Sequence, residues 1–369
     1  MNFMSSEDQI AYRDSVATML AAEVTAESIR ARWDSPKGID EKLIEQLNEL
    51  GLNTMLVPES CGGLGLSEQD FILLAQECGR AALPEPLVDN VLVANAMLAD
   101  VACSDLVSAK QCEDLLSEVA AGKVMLACGH WINPFINMAD IHQWLLLSHG
   151  DEVHLVESSA VELLPQRSAD PSRRIFKVNW QPKAETRIAN GEAGAGLWRR
   201  ALNRGALGVA AQLIGLSESI LYRAVGFTAD REQFGRPVGS NQAVKHLLAD
   251  CAVSLEFAKP VMARAAYAVG SNSSDADCAV SHAKVAASRA AQLCARHGMQ
   301  VHGAMGYTWE CDLHIWMKRC WAIDKTWGDA GFHKNRIHER LLDPSTLMGA
   351  EHTFTSATSK TYNSQEGAA

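Results

Sequence analysis

Positive charge is scarce in this 369-residue chain, whose formal net charge is -11. That argues against nucleic acid or an anionic membrane as its main partner. No uninterrupted apolar run approaches membrane-spanning length. Met1 to Ile10 is polar and acidic, with no apolar signal core. Ten cysteines are scattered along the chain and none form a Cys-x-x-Cys pair. This fits free thiols in a reducing cytoplasm better than disulfides or zinc. Cys311 and Cys320 are read as packing residues, because free cysteine is usually buried. No ligand spacing suits a metal, and no internal repeat is present. The length suffices for two or three domains and a sizeable core.

The periodicity changes twice. Residues 6 to about 115 read as helical, with Ser5 or Ser6 capping a first helix that reaches Val24. Leu43, Ile44, Leu47 and Leu50 repeat at helical spacing before Gly51. Residues 57–66 form a glycine-rich loop that no convincing strand precedes, so it reads as a connection between helices rather than a dinucleotide fingerprint. Phe71 to Arg80 resumes helix. Strands are expected at Val124–Cys128, at Trp144–Ser148 and Val153–Val156 around the turn His149-Gly150-Asp151, and at Arg174–Trp180. Helix returns from about Gly196. Ala206 to Thr228 has the composition of a buried bundle helix. Asn241 to Lys259 places Val244, Leu247, Leu248, Cys251 and Leu255 on one face, and Pro260 is expected to kink or break that helix. Ala279 to Val301 ends at Gly303, a natural stop. The expected fold is mainly α with a central β domain. Its parts are helices over 1–120, a small β domain over 121–195, a helical bundle over 196–350 and a loose polar tail over 351–369.

Several segments in this order resemble the acyl-CoA dehydrogenase family. They are Leu47-Asn48-Glu49-Leu50-Gly51-Leu52, Val57-Pro58-Glu59, Gly62-Gly63-Leu64-Gly65-Leu66 and Gly79-Arg80-Ala81-Ala82-Leu83-Pro84. Stronger marks are Arg231-x-Gln233-Phe234-Gly235-x-Pro237-Val238-Gly239, the run Gln242 to Asp250, and Gln300-x-His302-Gly303-x-x-Gly306-Tyr307. The resemblance covers most of the chain and implies a three-part fold. It also implies FAD laid across a subunit interface, with one subunit's C-terminal helices holding the neighbour's pyrophosphate and adenosine end. Arg231 has the planar fork of donors that a diphosphate accepts. Gln233 and Gln300 can donate amide hydrogen bonds. Phe234 can pack on apolar parts of the cofactor. Gly303 and Gly306 let the backbone approach phosphate closely.

Two departures from the family pattern matter more. The family's Thr-Glu-Pro and Gly-Ser-Asp segments, which contact flavin and acyl-CoA, have no counterpart around Leu126 to Pro134, and the β segment is short. The carboxylate base is also missing. A raised-pKa carboxylate suits removal of an α-proton from an acyl thioester. The resemblance puts it ten residues after Met317, where Trp327 stands, or on the helix before Arg231, where Gly205 stands. Indole is a donor only. The Thr and Gln that follow the first slot are replaced by Asp329 and Gly331. Asp324 and Asp329 lie near the lost base. Glu310 reads as structural, closing the turn after Thr308, and His302 and His314 as core or interface residues.

The resemblance therefore implies a base-lacking subunit of a heteromeric α2β2 acyl-CoA dehydrogenase like those of bacterial steroid degradation. A homologous subunit would supply flavin-ring site and base. The substrate would be a CoA thioester of a sterol or bile-acid side chain, and an electron-transfer flavoprotein would take the electrons. Two alternatives stay open: a self-sufficient FAD enzyme with a relocated base, and a non-catalytic structural or acyl-CoA-binding member of the fold.

Overall fold

The computed structural model describes residues 3–33, 35, 38–344 and 346. The expected tail over 351–369 lies outside the described residues. Ser6 caps α1 (Glu7–Glu23) through a reciprocal box. Its hydroxyl accepts the Gln9 N–H at 3.2 Å while Gln9 Oε1 accepts the Ser6 N–H at 2.8 Å. Helix α2 spans Ala26–Trp33, and α3 spans Glu41–Glu49 with Asp40 as its cap. Gly51 ends that run at φ 75°, a left-handed value that glycine adopts freely. The glycine-rich loop connects to α4 (Glu68–Arg80), as expected. A stretch of π-helix, Val88–Asn95, runs into α5 (Ala96–Ala102), and α6 (Ala109–Ala120) follows. The π turn was not legible from periodicity.

Seven strands follow. Strands β1 (Leu126–Gly129), β3 (Trp144–His149), β4 (Glu152–Glu157) and β7 (Arg187–Ala189) form one sheet in the order β1-β3-β4-β7. The β1–β3 pair is parallel and β3–β4 is the expected hairpin. Strands β2 (Phe135–Asn137), β6 (Ile175–Asn179) and β5 (Glu162–Gln166) form a second sheet. The sequence pattern had shown β1, β3, β4 and β6. β2 and β7 have three residues each, and β5 is mostly exposed, so no alternating apolar pattern marks them.

Helix α7 (Gly191–Asp230) is the axis of the molecule and starts earlier than its apolar stretch suggested. By length and composition it could cross a membrane, but 72% of its most apolar window is buried within the fold. Its crossing with α4 brings backbones into contact. A β-carbon on Gly79 would lie 2.1 Å from Gln212 O, and one on Gly215 would lie 1.9 Å from Gln76 O. A short hairpin, β8 (Glu232–Gln233) and β9 (Arg236–Pro237), leads to α8 (Gln242–Gly270). Pro260 does not break α8. It sits on the exposed side, so the carbonyl that loses its partner can turn to water. Of the apolar face expected on α8, only Cys251 and Leu255 are buried; Val244, Leu247 and Leu248 stay half-exposed. Helices α9 (Ala276–His302), α10 (Leu313–Ile323) and α11 (Ala330–Leu342) complete the bundle.

Candidate functional site

Two groups of residues carry the expected chemistry, and the fold treats them oppositely. The first lies at the ends of α7 and α9. Phe227, in the last turn of α7, stacks on His302, the last residue of α9, with ring centroids 4.2 Å apart and planes at 19°. This contact brings the Arg231–Gly239 segment and the Gln300–Gly306 segment to one end of the bundle. There Arg231 leaves α7 in extended conformation and is exposed. Gln233 and Gln300 are exposed, and Phe234 is fully exposed at φ 52°. Gly303 has φ 60° and open space where a β-carbon would be. Gly306 is buried against Met299 and His302. A fully exposed phenylalanine, an exposed arginine and an open glycine turn at one end of the bundle suit an anionic, partly aromatic ligand. The residues at this end fit the phosphate and adenosine portion of a dinucleotide.

The second group holds Trp327 and Gly205, the two positions expected for the base, and they meet. Trp327 is fully buried. A β-carbon on Gly205 would lie 2.2 Å from its Cδ2 and 2.5 Å from its Cε2 and Cγ. The indole thus occupies the volume a side chain at residue 205 would need. Its N–H donates to Asp89 Oδ1 at 2.7 Å. Its ring lies nearly parallel to that of His130, with centroids 6.1 Å apart, and His130 in turn faces Trp198 at 5.0 Å. His130 belongs to the segment that replaces the flavin-contacting signature. Burial holds its imidazole down to about 4, so the ring is neutral. Around Trp327 and Gly205 the rings of Trp327, His130 and Trp198 pack on one another.

The plug is anchored from behind. Lys284 is completely buried and donates to the carbonyls of Asp324 and Gly328, both at 2.9 Å. Desolvation pulls its ammonium down to about 8. His333 Nε2 donates to Trp327 O at 2.9 Å, while its Nδ1 accepts from the Ser281 hydroxyl at 3.1 Å. These bonds hold Trp327 at φ 53°, in the left-handed region that costs a bulky residue energy. Asp89 has its carboxyl pushed up by burial, partly offset by the Trp327 N–H and the charge of Arg173.

The other candidates fall into structural roles. Asp329 caps α11 by accepting the Phe332 N–H at 2.9 Å. Asp324 accepts from Gln292 Nε2 at 3.0 Å and pairs with Lys325. Glu310 does not close its turn. It is exposed and makes no hydrogen bond or ion pair among the described residues, and Thr308 closes the turn onto Met305 O instead. His302 and His314 are buried, as expected, and so is Cys320; Cys311 is only half-buried. Sequence reasoning missed Asp89, Lys284, His333 and Phe227. Only Phe227, one helical turn before Arg231, stood near a motif.

Residues 6–123 match the acyl-CoA dehydrogenase N-terminal domain and residues 192–342 the C-terminal domain. The chain is 31% identical to acyl-CoA dehydrogenase IpdE2 of Mycobacterium tuberculosis, over 85% of this chain and 91% of that protein. In structure it is similar to a chain of the ChsE4–ChsE5 complex from Mycobacterium tuberculosis, with TM-score 0.82 and 21% identity over 94% of this chain and 100% of that one. It is likewise similar to a variant of the Tcur3481–Tcur3483 steroid acyl-CoA dehydrogenase, with TM-score 0.80 and 22% identity over 90% of this chain and 97% of that one. The protein therefore belongs to the acyl-CoA dehydrogenase family.

Proposed function

We propose that this chain is the base-lacking subunit of a heteromeric, FAD-dependent acyl-CoA dehydrogenase. The family is FAD-dependent, and the observation that carries the subunit role is Trp327 seated on Gly205. With both base slots lost to one indole, no carboxylate stands in either, and the flavin-ring space is filled. A homologous subunit in an α2β2 assembly supplies the flavin-ring site and the glutamate. This chain supplies the other half. Arg231 neutralises diphosphate charge, Gln233 and Gln300 donate amide hydrogen bonds, Phe234 covers an apolar surface of the cofactor, and the Gly303 and Gly306 backbones admit phosphate. FAD, when bound, supplies the acceptor for the β-hydride as the partner's carboxylate takes the α-proton. The substrate class is the CoA thioester of a steroid side chain, the product its α,β-unsaturated form, and the electron acceptor an electron-transfer flavoprotein. Likeness to the ChsE4–ChsE5 complex and to the Tcur3481–Tcur3483 steroid enzyme supports the assembly and the substrate class. The parts of the chain divide near residues 120 and 195.

Co-expression tests this. The chain alone should purify colourless or unstable. With its partner it should be yellow, carry one FAD for each pair of unlike subunits, and desaturate steroid acyl-CoA in preference to short straight-chain thioesters. Full flavin occupancy and activity in the purified single chain would overturn it.

One observation favours the self-sufficient alternative. Asp89 places a carboxyl with a raised pKa beside Trp327, which fills both expected base slots, as a relocated base requires. In that case Asp89→Asn would abolish turnover with flavin retained, whereas in the heteromer it leaves turnover nearly unchanged.

A further inference from the structure

Beside the β2-β6-β5 sheet lies a cavity of about 420 Å³, within the roughly 300–1,000 Å³ of small-ligand sites. The β5–β6 connection, residues 167–174, forms much of its rim. Pro165, Pro171, Ile175 and Phe176 give it apolar walls. Its lining also holds two cations, Arg173 and Arg174, and two carboxylates, Asp140 and Asp170. Three of these four charges are met within the chain. Arg174 pairs with Asp140, and Asp170 pairs with Arg319. Asp170 Oδ1 also accepts the Ser172 N–H at 2.9 Å. Arg173 differs. It is only 8% exposed, and among the described residues its side chain makes one hydrogen bond, from Nη1 to Ala322 O at 3.0 Å. A carbonyl does not neutralise a cation. Nε and Nη2 have no hydrogen-bond partner among the described residues and are not sealed from solvent, so they open onto the cavity that Arg173 lines. Desolvation, and then the like charge of Arg319, pull the guanidinium's pKa down, with Asp89 and Asp170 acting the other way. Arginine stays charged regardless, so the fold carries a buried cation that its own carboxylates do not fully compensate.

We propose that this cavity is a binding site for a small monocarboxylate with an alicyclic or aromatic body, held through Arg173. Nε and Nη2 share one edge of the guanidinium, and two parallel N–H groups there match the two oxygens of a carboxylate. One uncompensated cation balances one negative charge. A phosphate dianion fits less well, because its second charge would face Asp140 and Asp170 with no further free cation in the lining. The proline, isoleucine and phenylalanine walls suit the apolar body and exclude water from the ion pair, which strengthens it. Arg173 reaches Ala322 O, on the helix that leads to Trp327, so an acid bound here lies behind the plug and not in it.

The test uses the full chain in the assembly in which it purifies, with substitutions made in this chain alone. Calorimetric titration compares cyclohexaneacetate, its neutral counterpart 2-cyclohexylethanol, and inorganic phosphate. The expected result is saturable binding of cyclohexaneacetate at one site per copy of this chain, and no binding of the other two. Arg173→Gln should weaken it by about tenfold or more, through loss of a charge-assisted contact. Because Arg173 also holds Ala322 O, Gln166→Glu gives a second reading that does not depend on that bond. Gln166 is exposed at the rim, so this variant should fold normally. Its added negative charge should weaken binding several-fold, and more at low salt than at high. No saturable binding of the carboxylate, equal binding of the alcohol, tighter binding of phosphate, or unchanged affinity in both variants would each overturn the proposal. Heat is read and not turnover, so this outcome is independent of the subunit assignment.

Discussion

The indole of Trp327 rests on the bare α-carbon of Gly205, so the two positions where the resemblance places a base exclude one another's side chains. Glycine inside a helix ordinarily costs about 1 kcal/mol against alanine. Gly205→Ala should nonetheless destabilise the protein by roughly 1–3 kcal/mol, because the added methyl overpacks against a buried ring. Trp327→Ala should relieve that penalty, so the two substitutions together should be less harmful than their sum. Thermal denaturation of the four proteins reads the coupling. A stabilised Gly205→Ala single variant would show that the ring does not sit there.

Lys284 holds the loop that carries the plug. Lys284→Met keeps the length and apolar stem but leaves the carbonyls of Asp324 and Gly328 without their donor. Two orphaned buried acceptors cost about 2–4 kcal/mol, read as a lowered denaturation midpoint. Exposed Lys183→Met should change it little.

Arg231→Ala should leave the fold intact, since the side chain is exposed. In the heteromer it should weaken FAD retention by roughly 1.5–3 kcal/mol through loss of a charge-assisted contact. Flavin content after gel filtration measures this. Unchanged retention would contradict the half-site assignment.

Asp324→Asn and Asp329→Asn should leave turnover of the heteromer nearly intact, since both carboxylates are engaged with the chain itself. Asp329→Ala should instead lower stability by about 1 kcal/mol through loss of the α11 cap. Steady-state rates and denaturation midpoints together separate the two effects.

Acid should destabilise the protein early. His142 Nδ1 must donate to Met138 O, at 2.6 Å, which leaves its Nε2 to accept from Asn90. Burial, partly offset by the bond to Met138 O, holds His142 at about 4, with His130 also at about 4 and His333 at about 3, against an ordinary 6.5. The unfolded chain takes up protons that these buried rings refuse. Stability is therefore full above 6.5 and falls as pH drops toward 4, by up to about 1.4 kcal/mol per pH unit for each ring. Denaturation midpoints across that range should decline, and His142→Asn should flatten the decline.

Much of the fold was legible in the chain. The Ser6 cap, the Gly51 stop, the β3–β4 turn and the end of α9 depend on neighbours a few residues away, and local chemistry marked each one. Pro260 misled because its effect depends on which side of α8 faces water. Glu310 misled because Thr308 closed the turn on its own. Strands β2 and β7 are too short to show a period, and β5 is mostly exposed and so lacks an apolar face.

The sequence by itself determined that Trp327 and Gly205 stand where the resemblance expects a carboxylate and that Arg231, Gln233, Phe234, Gln300, Gly303 and Gly306 are present, because those are statements about residue identity. Only the tertiary structure decided that Trp327 and Gly205 are one location, that Asp89 receives the indole N–H and that Lys284 supports the loop from within. Those contacts join residues far apart along the chain, and no spacing in a one-dimensional string encodes which of them close packing will press together.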